Sequence, residues 1–213
     1  MFRLLEKLLE QDKDSFRSLF QPLSPEEFVR RRLEVGKCTQ NPDGTWSCKG
    51  DVDLSNLGLE KLPVKFKRVE GNFDISHNNL TTLEGSPEYV GGEFDCSWNK
   101  LPTLKGAPSR VEGFFVGRGN NFTSLRGAPK YVGDSLFLQD NKLPTLKGAP
   151  EYVGGSIHCQ DNKLISLEGI GEVRGIIYTA RNSSRLKDLK QTVPPAMRKK
   201  VRSDYIGVPI LGF

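Results

Sequence analysis

From Gly50 to about Arg181 the chain runs through a short phrase of alternating apolar and polar positions, then repeats it every 21 residues. The copies GNFDISHNNLTTLEGSPEYV (71–90), GEFDCSWNKLPTLKGAPSRV (92–111), GFFVGRGNNFTSLRGAPKYV (113–132), DSLFLQDNKLPTLKGAPEYV (134–153) and GSIHCQDNKLISLEGIGEV (155–173) align with no gap until the last. A degenerate first copy fills 50–69, and a fading seventh begins at Gly175. Within each phrase positions 3 and 5 are apolar or small: Val52/Leu54, Phe73/Ile75, Phe94/Cys96, Phe115/Gly117, Leu136/Leu138 and Ile157/Cys159. That period of two predicts a short strand with one face inward. Leu or Phe at position 10 and Leu at position 13 add two further apolar columns, and a Pro and a Val close the coil.

Such a coil cannot bury its apolar face alone. Neighbours must stack, with strands about 4.8 Å apart in a parallel sheet. Position 8 is Asn in copies two to seven: Asn78, Asn99, Asn120, Asn141, Asn162 and Asn182. A side-chain amide both donates and accepts, so this column predicts an internal ladder that serves backbone groups facing inward at the strand-to-loop turn.

The unit resembles the leucine-rich repeat, in the short Pro-containing form of bacterial effector proteins. More closely it resembles repeat proteins of tailed bacteriophages, of the type N-x-L-T-S-L-x-G-A-P-x-x-V-G-G-x-F-x-C. The resemblance covers about 50–182. It implies an α/β solenoid with short parallel strands on the concave face, a helical N-terminal cap and a small helical C-terminal cap. The organisation expected is a helical cap over 1–36, a β-hairpin over 37–49, about six and a half coils over 50–182, and a basic cap with an apolar tail over 183–213.

At the N-terminal end, Ser24-Pro25-Glu26-Glu27 places a capping Ser, a Pro at the first helical position and a Glu three residues on, which predicts a helix over 25–35 stopped by Gly36. Before it, Leu5, Leu8, Leu9, Phe16, Leu19 and Phe20 recur at helical spacing, as in a cap or in a partner-binding or membrane-surface helix, the last disfavoured by four acidic residues in 1–14. Between helix and array, Asn41-Pro42-Asp43-Gly44 predicts a tight hairpin that sets Cys38 opposite Cys48 as a close, non-hydrogen-bonded pair. That geometry suits a disulfide, whereas a reducing cytoplasm would keep both thiols free. Cys96 and Cys159 fall at interior positions and read as core. The four cysteines lack the paired spacing of a zinc site, and no metal or other cofactor is expected. After Asn182, Leu186, Leu189, Val193, Met197 and Val201 can cover the last coil.

On a leucine-rich repeat the strand residues at positions 2, 4 and 6 point away from the core. Position 4 reads Asp53, Asp74, Asp95, Val116, Phe137, His158 and Tyr178; position 2 includes Asp51, Glu93 and Phe114. The expected surface is therefore an acidic half followed by an exposed apolar and aromatic half, with Trp98 and His77 at its flank. Carboxylates stacked about 4.8 Å apart repel by roughly 1 kcal/mol per neighbour at water's dielectric. A solvated acidic face, a basic partner and a bound cation are all compatible with that column. The partner-binding residues expected are Asp53, Asp74, Glu93, Asp95, Trp98, Phe114, Val116, Phe137, His158 and Tyr178.

Charge sharpens this picture. Residues 1–49 carry nine Lys/Arg against eight Asp/Glu, residues 50–180 carry 14 against 16, and residues 181–213 carry eight against two, so the net +5 is a property of the C-terminal end. The basic stretch 185–202 could meet phosphates, but it has little aromatic interleaving and no nucleic-acid motif. No run approaches the roughly 18 apolar residues of a membrane span. Met1-Phe2-Arg3-Leu4-Leu5 runs into Glu6, Lys7 and Glu10 without an apolar core, so an intracellular product is expected. No nucleophile turn, Gly-rich phosphate loop or H-E-x-x-H is present, and the catalytic cysteine domain of some effectors has no counterpart among the residues after the repeats. The resemblance implies a non-enzymatic protein-binding component, either of the virion or acting on a host protein in the infected bacterial cell.

Overall fold

The computed structural model describes residues 24–35, 37–184 and 186–203. The chain forms a parallel β-solenoid of about seven turns, and each turn contributes one short strand to each of two sheets. The first sheet runs β1 (Cys38–Gln40), β2 (Trp46–Cys48), β4 (Phe66–Val69), β6 (Tyr89–Val90), β8 (Arg110–Val111), β10 (Tyr131–Val132), β12 (Tyr152–Val153) and β14 (Glu172–Val173). The second runs β3 (Val52–Asp53), β5 (Phe73–Asp74), β7 (Phe94–Asp95), β9 (Phe115–Val116), β11 (Leu136–Phe137), β13 (Ile157–His158), β15 (Ile177–Tyr178) and β16 (Val201–Arg202). Every pairing is parallel except β1 with β2.

Two expectations are corrected here. A single strand per coil was expected, but a second sheet exists, built on the Val that closes each phrase. Val69, Val90, Val111, Val132 and Val153 are fully buried, and the residue before each points outward. The α/β description also fails within the array, because none of the described residues between 50 and 182 is helical. The longer connection of each coil, such as 96–109, is taken up by the asparagine-anchored turn and the reversal at Gly106 rather than by a helix. The three-residue corner, as in Gly91-Gly92-Glu93, is tight enough that a Cβ at Gly133 would fall 2.0 Å from the Glu112 carbonyl of the preceding coil, so glycine is required there.

Between the sheets lie the predicted apolar columns. Leu80, Leu101, Phe122, Leu143 and Leu164 form one, Leu83, Leu104, Leu125, Leu146 and Leu167 another, and all ten are fully buried. Phe73, Phe94 and Phe115 stack at 5.9 and 5.1 Å between centroids. Burying each such side chain contributes about 1.5–3 kcal/mol before chain entropy is charged. The one coil with Phe at position 10 has Gly117 at position 5, and a Cβ there would meet the Phe122 ring at 2.9 Å. The larger ring occupies the space that the glycine vacates. After Leu104 the chain reverses through Gly106 at φ +92°, with the Ala107 N–H donating to the Leu104 carbonyl at 3.0 Å.

The buried asparagines tie each coil to the one before. Asn120 Oδ1 accepts from the Leu101 N–H at 3.1 Å, and its Nδ2 donates to the carbonyls of Cys96 at 2.9 Å and Gly117 at 3.3 Å. Asn78, Asn99, Asn141, Asn162 and Asn182 repeat this pattern.

At one end, α1 (Pro25–Val35) packs against β1 and places Val29 and Leu33 in the core. Ser24 and Glu27 exchange side-chain-to-backbone hydrogen bonds across its first turn. The hairpin closes with the Asn41 N–H on the Thr45 carbonyl at 2.7 Å and Gly44 at φ +80°. Cys38 lies opposite Cys48, Cα to Cα 4.0 Å, and the two form a disulfide. At the other end α2 (Leu186–Gln191) and a 3-10 helix (Pro195–Lys200) pack with β16, burying Leu189, Val193 and Val201. The apolar recurrence before residue 24, Gly36 and the tail from residue 204 lie outside the described residues.

Replacing Asn120 by Leu removes an acceptor and a multiple donor from the interior and strands the Leu101 N–H. Urea denaturation should show a loss of about 2–4 kcal/mol despite the added apolar surface; unchanged or greater stability would refute the ladder's role.

Candidate functional site

The outward side of the second sheet carries the residues singled out by the repeat. Its two halves differ in chemistry and in exposure. In the first, Asp53, Asp74 and Asp95 are directly in register on neighbouring strands. Each carboxylate turns back to accept the backbone N–H two residues on, from Ser55, Ser76 and Ser97 at 2.9, 2.8 and 2.7 Å. This local turn fixes the column, because a carboxylate two residues before a serine suits it in each of these three coils. Asp53 is open, with Arg32 of α1 at 4.0 Å, while Asp74 is buried and Asp95 half-buried.

Glu93 sits beside them at position 2. Its Oε1 is shielded without a hydrogen-bond partner, and burial together with the Asp95 and Asp74 charges pushes its carboxyl up to about 7. Asp95 is pushed up to about 6 by burial against the opposing pull of its hydrogen bonds from Ser97. Asp51 and Asn72 each accept the next coil's N–H at that same column, at 2.7 and 2.8 Å.

Trp98 is 45% exposed at the rim, with a backbone φ of +53° that every residue at position 7 shares in sign. Its indole lies across Gly119, where a Cβ would fall 2.5 Å from the ring, and stacks beside His77 at 6.1 Å between centroids. Arg118 lies 5.3 Å over the same ring and pairs with Asp140.

The second half is not the exposed aromatic patch that alternation implies. Val116, Phe137, His158 and Tyr178 are all under 9% exposed, so the expectation that they form an open surface is corrected. The imidazole of His158 is sandwiched between Phe137 at 4.6 Å and Tyr178 at 4.7 Å, and Phe114 leans on Phe137 at 5.9 Å. Burial lowers the His158 pKa. Gln139 and Gln160, at position 6 of the same strands, are buried with both amide atoms unpartnered. Their column was legible from the same alternation, which places position 6 on the outward face, but a short polar side chain carries no signal of its own burial.

A further feature has no precursor in the sequence reading. On the outward side of the first sheet, Arg68 lies 3.6 Å over Tyr89 and Arg110 3.7 Å over Tyr131. Tyr131 stacks on Tyr152 at 5.0 Å, and Arg174 closes the row at 5.5 Å. Glu70 and Glu112 pair with the first two guanidiniums. This row is electrostatically satisfied by its own members, so it serves to bind coil to coil.

Cys96 and Cys159 are buried, and burial raises both thiols, Cys159 to about 12. Neither is poised as a nucleophile. Among the described residues no cluster of three His, Cys, Asp or Glu could hold a metal, and no helix is long and apolar enough to cross a membrane. Neither models of known protein families nor curated proteins match the chain.

The raised carboxyls make stability depend on pH in the sense opposite to a salt-bridged acid. The favourable contribution is complete below the ordinary carboxyl pKa of 4.5 and is lost as pH rises through about 7. The melting temperature should therefore fall between pH 5 and pH 8, and Glu93→Gln should flatten that fall and stabilise the protein at the upper end. A variant with an unaltered pH profile would show that Glu93 is solvated.

Proposed function

We propose that the chain is a non-enzymatic, protein-binding solenoid whose acidic half, from Asp51 and Asp53 to Glu93 and Asp95, receives a lysine- or arginine-bearing segment of a protein partner. The observation that carries this reading is Glu93, a half-buried carboxylate with one oxygen unpartnered and two like charges beside it. An incoming cation turns that repulsion into attraction. Trp98 adds an aromatic anchor next to the charged column, a pairing typical of binding hot spots.

The end elements support a finished solenoid of the leucine-rich repeat kind. On this reading α1 with its hairpin caps one end, and α2, the 3-10 helix and β16 cap the other. The similarity of the 21-residue unit to phage repeat proteins supports a structural or accessory component of a virion. The Cys38–Cys48 disulfide favours that over a factor acting inside the host cytoplasm, where such a pair is reduced.

Carbodiimide joins a carboxylate to an amine without a spacer, so cross-linking the purified complex should connect Asp51, Asp53, Glu93 or Asp95 to partner lysines. Asp53→Lys combined with Asp95→Lys should weaken binding by about tenfold or more, equivalent to about 1.4 kcal/mol. Undiminished affinity in that variant, with cross-links confined to the first sheet, would place the interface elsewhere.

A further inference from the structure

The connection that carries each coil from the second sheet back to the first has a charge composition of its own. Over 99–107, 120–128, 141–149 and 162–170 it holds six Lys/Arg and one carboxylate, Glu168, whereas residues 50–180 as a whole carry 14 Lys/Arg against 16 Asp/Glu. All six cations, Lys100, Lys105, Arg126, Lys142, Lys147 and Lys163, are exposed. On the strand faces of the array, by contrast, Arg68, Arg110, Arg118 and Arg174 each meet a carboxylate within 4.0 Å. On this edge no cation meets a carboxylate among the described residues, and Lys142 Nζ donates instead to Asn121 Oδ1 at 2.6 Å.

The repeat sets these charges in rows. The Lys142 N–H donates to the Phe122 carbonyl at 3.0 Å, the Lys163 N–H to the Leu143 carbonyl at 3.1 Å and the Leu104 N–H to the Arg126 carbonyl at 3.1 Å. Equivalent residues of successive coils therefore stand about 4.8 Å apart. Lys105, Arg126 and Lys147 form one row at position 14, and Lys100, Lys142 and Lys163 share position 9. Beside each member of the first row is a hydroxyl. Thr103, Ser124 and Thr145 accept the N–H groups of Lys105, Arg126 and Lys147 at 3.4, 3.1 and 3.3 Å, which leaves each O–H proton free for an outside acceptor. A cation and a hydroxyl donor on every rung suit phosphate oxygens. From the third coil to the sixth the edge spans about 14 Å, over which one strand of a duplex presents about four phosphates. Base stacking has no platform here, because the one aromatic ring of these stretches, Phe122, is fully buried. For the same reason the edge lacks the aromatic anchors of a protein interface. A membrane surface would find a single large apolar side chain exposed on these stretches, Ile165.

We propose that this edge, centred on Lys105, Arg126 and Lys147, binds the phosphate backbone of double-stranded nucleic acid without regard to base sequence. The carboxylates of the second sheet repel the same ligand and confine it to the edge. This function goes beyond the protein-binding role proposed for the acidic half and does not depend on it.

Fluorescence anisotropy of a labelled duplex of roughly 20 base pairs and mixed sequence, titrated with the full chain, should show binding that weakens roughly 100-fold between 50 and 200 mM NaCl, as about four phosphate contacts require. Lys105→Glu with Arg126→Glu and Lys147→Glu should weaken binding at least about tenfold at the lower salt and make the slope of log K against log salt shallower by about 2.7. Lys105→Gln with Arg126→Gln and Lys147→Gln should lose the same slope, and circular dichroism reports whether each variant folds. Arg198→Glu with Lys199→Glu, exposed on the 3-10 helix and away from the edge, should change the affinity by less than about threefold. Absence of binding at the lower salt overturns the proposal, as does undiminished affinity in both triple variants. Binding lost in the Arg198 and Lys199 variant instead overturns it in favour of the C-terminal cap. Tighter binding of a single strand of the same length overturns it in favour of unpaired nucleic acid. Stronger competition by heparin or by phosphatidylserine vesicles than by unlabelled duplex, at equal anionic charge, overturns it in favour of a polysaccharide or a membrane.

Discussion

Each coil of this solenoid holds only a few residues in strands, so most of its backbone must find hydrogen-bond partners outside a regular ladder. Backbone groups of neighbouring coils supply many of them, and the buried asparagine at position 8 serves the turn that follows the second-sheet strand. Its carbonyl oxygen takes the N–H of a residue in the preceding coil, and its amide nitrogen bridges carbonyls of two coils. Because one side chain serves both coils at once, the spacing between asparagines fixes the register of everything else. The leucine columns, the phenylalanine stack and both sheets follow from that single constraint.

Register then decides the chemistry of the surface. A strict repeat places chemically equivalent positions a strand spacing apart, which makes neighbours of side chains that a globular fold would separate. Where position 4 is Asp, like charges meet, and burial pushes Glu93 and Asp95 toward neutrality. Where position 4 is aromatic, rings stack and His158 becomes a neutral spacer between Phe137 and Tyr178. On the first sheet the same geometry lays Arg68 over Tyr89 and Arg110 over Tyr131, which stacks in turn on Tyr152. One repeat length thus yields a repelling column, an apolar column and a self-satisfied one, and the repelling column is the one that gains most from a partner.

Much of the fold was legible in the sequence, because periodicity is a property of the chain alone. The interior columns at positions 3, 5, 10 and 13 and the solenoid itself came from the repeat, and the hairpin from Asn41-Pro42-Asp43-Gly44. The second sheet was not legible, since two residues such as Tyr89-Val90 are too short to show alternation. The burial of Val116, Phe137, His158 and Tyr178 was also hidden. Alternation tells which way a side chain points but not what lies in front of it. Gln139 and Gln160 were passed over for the same reason. The acidic column could be read at the level of residue type, while the raised carboxyl of Glu93 required the positions of Asp95 and Asp74 in three dimensions.

The asparagine ladder can be measured directly by hydrogen exchange. The N–H groups of Leu59, Leu80, Leu101, Phe122, Leu143 and Leu164 lie in segments without regular secondary structure, yet each donates to the Oδ1 of a ladder asparagine. These amides should exchange as slowly as the slowest strand amides of Phe94 and Phe115. Exchange at the rate of the exposed loop amides would contradict the ladder as the constraint that sets the coil.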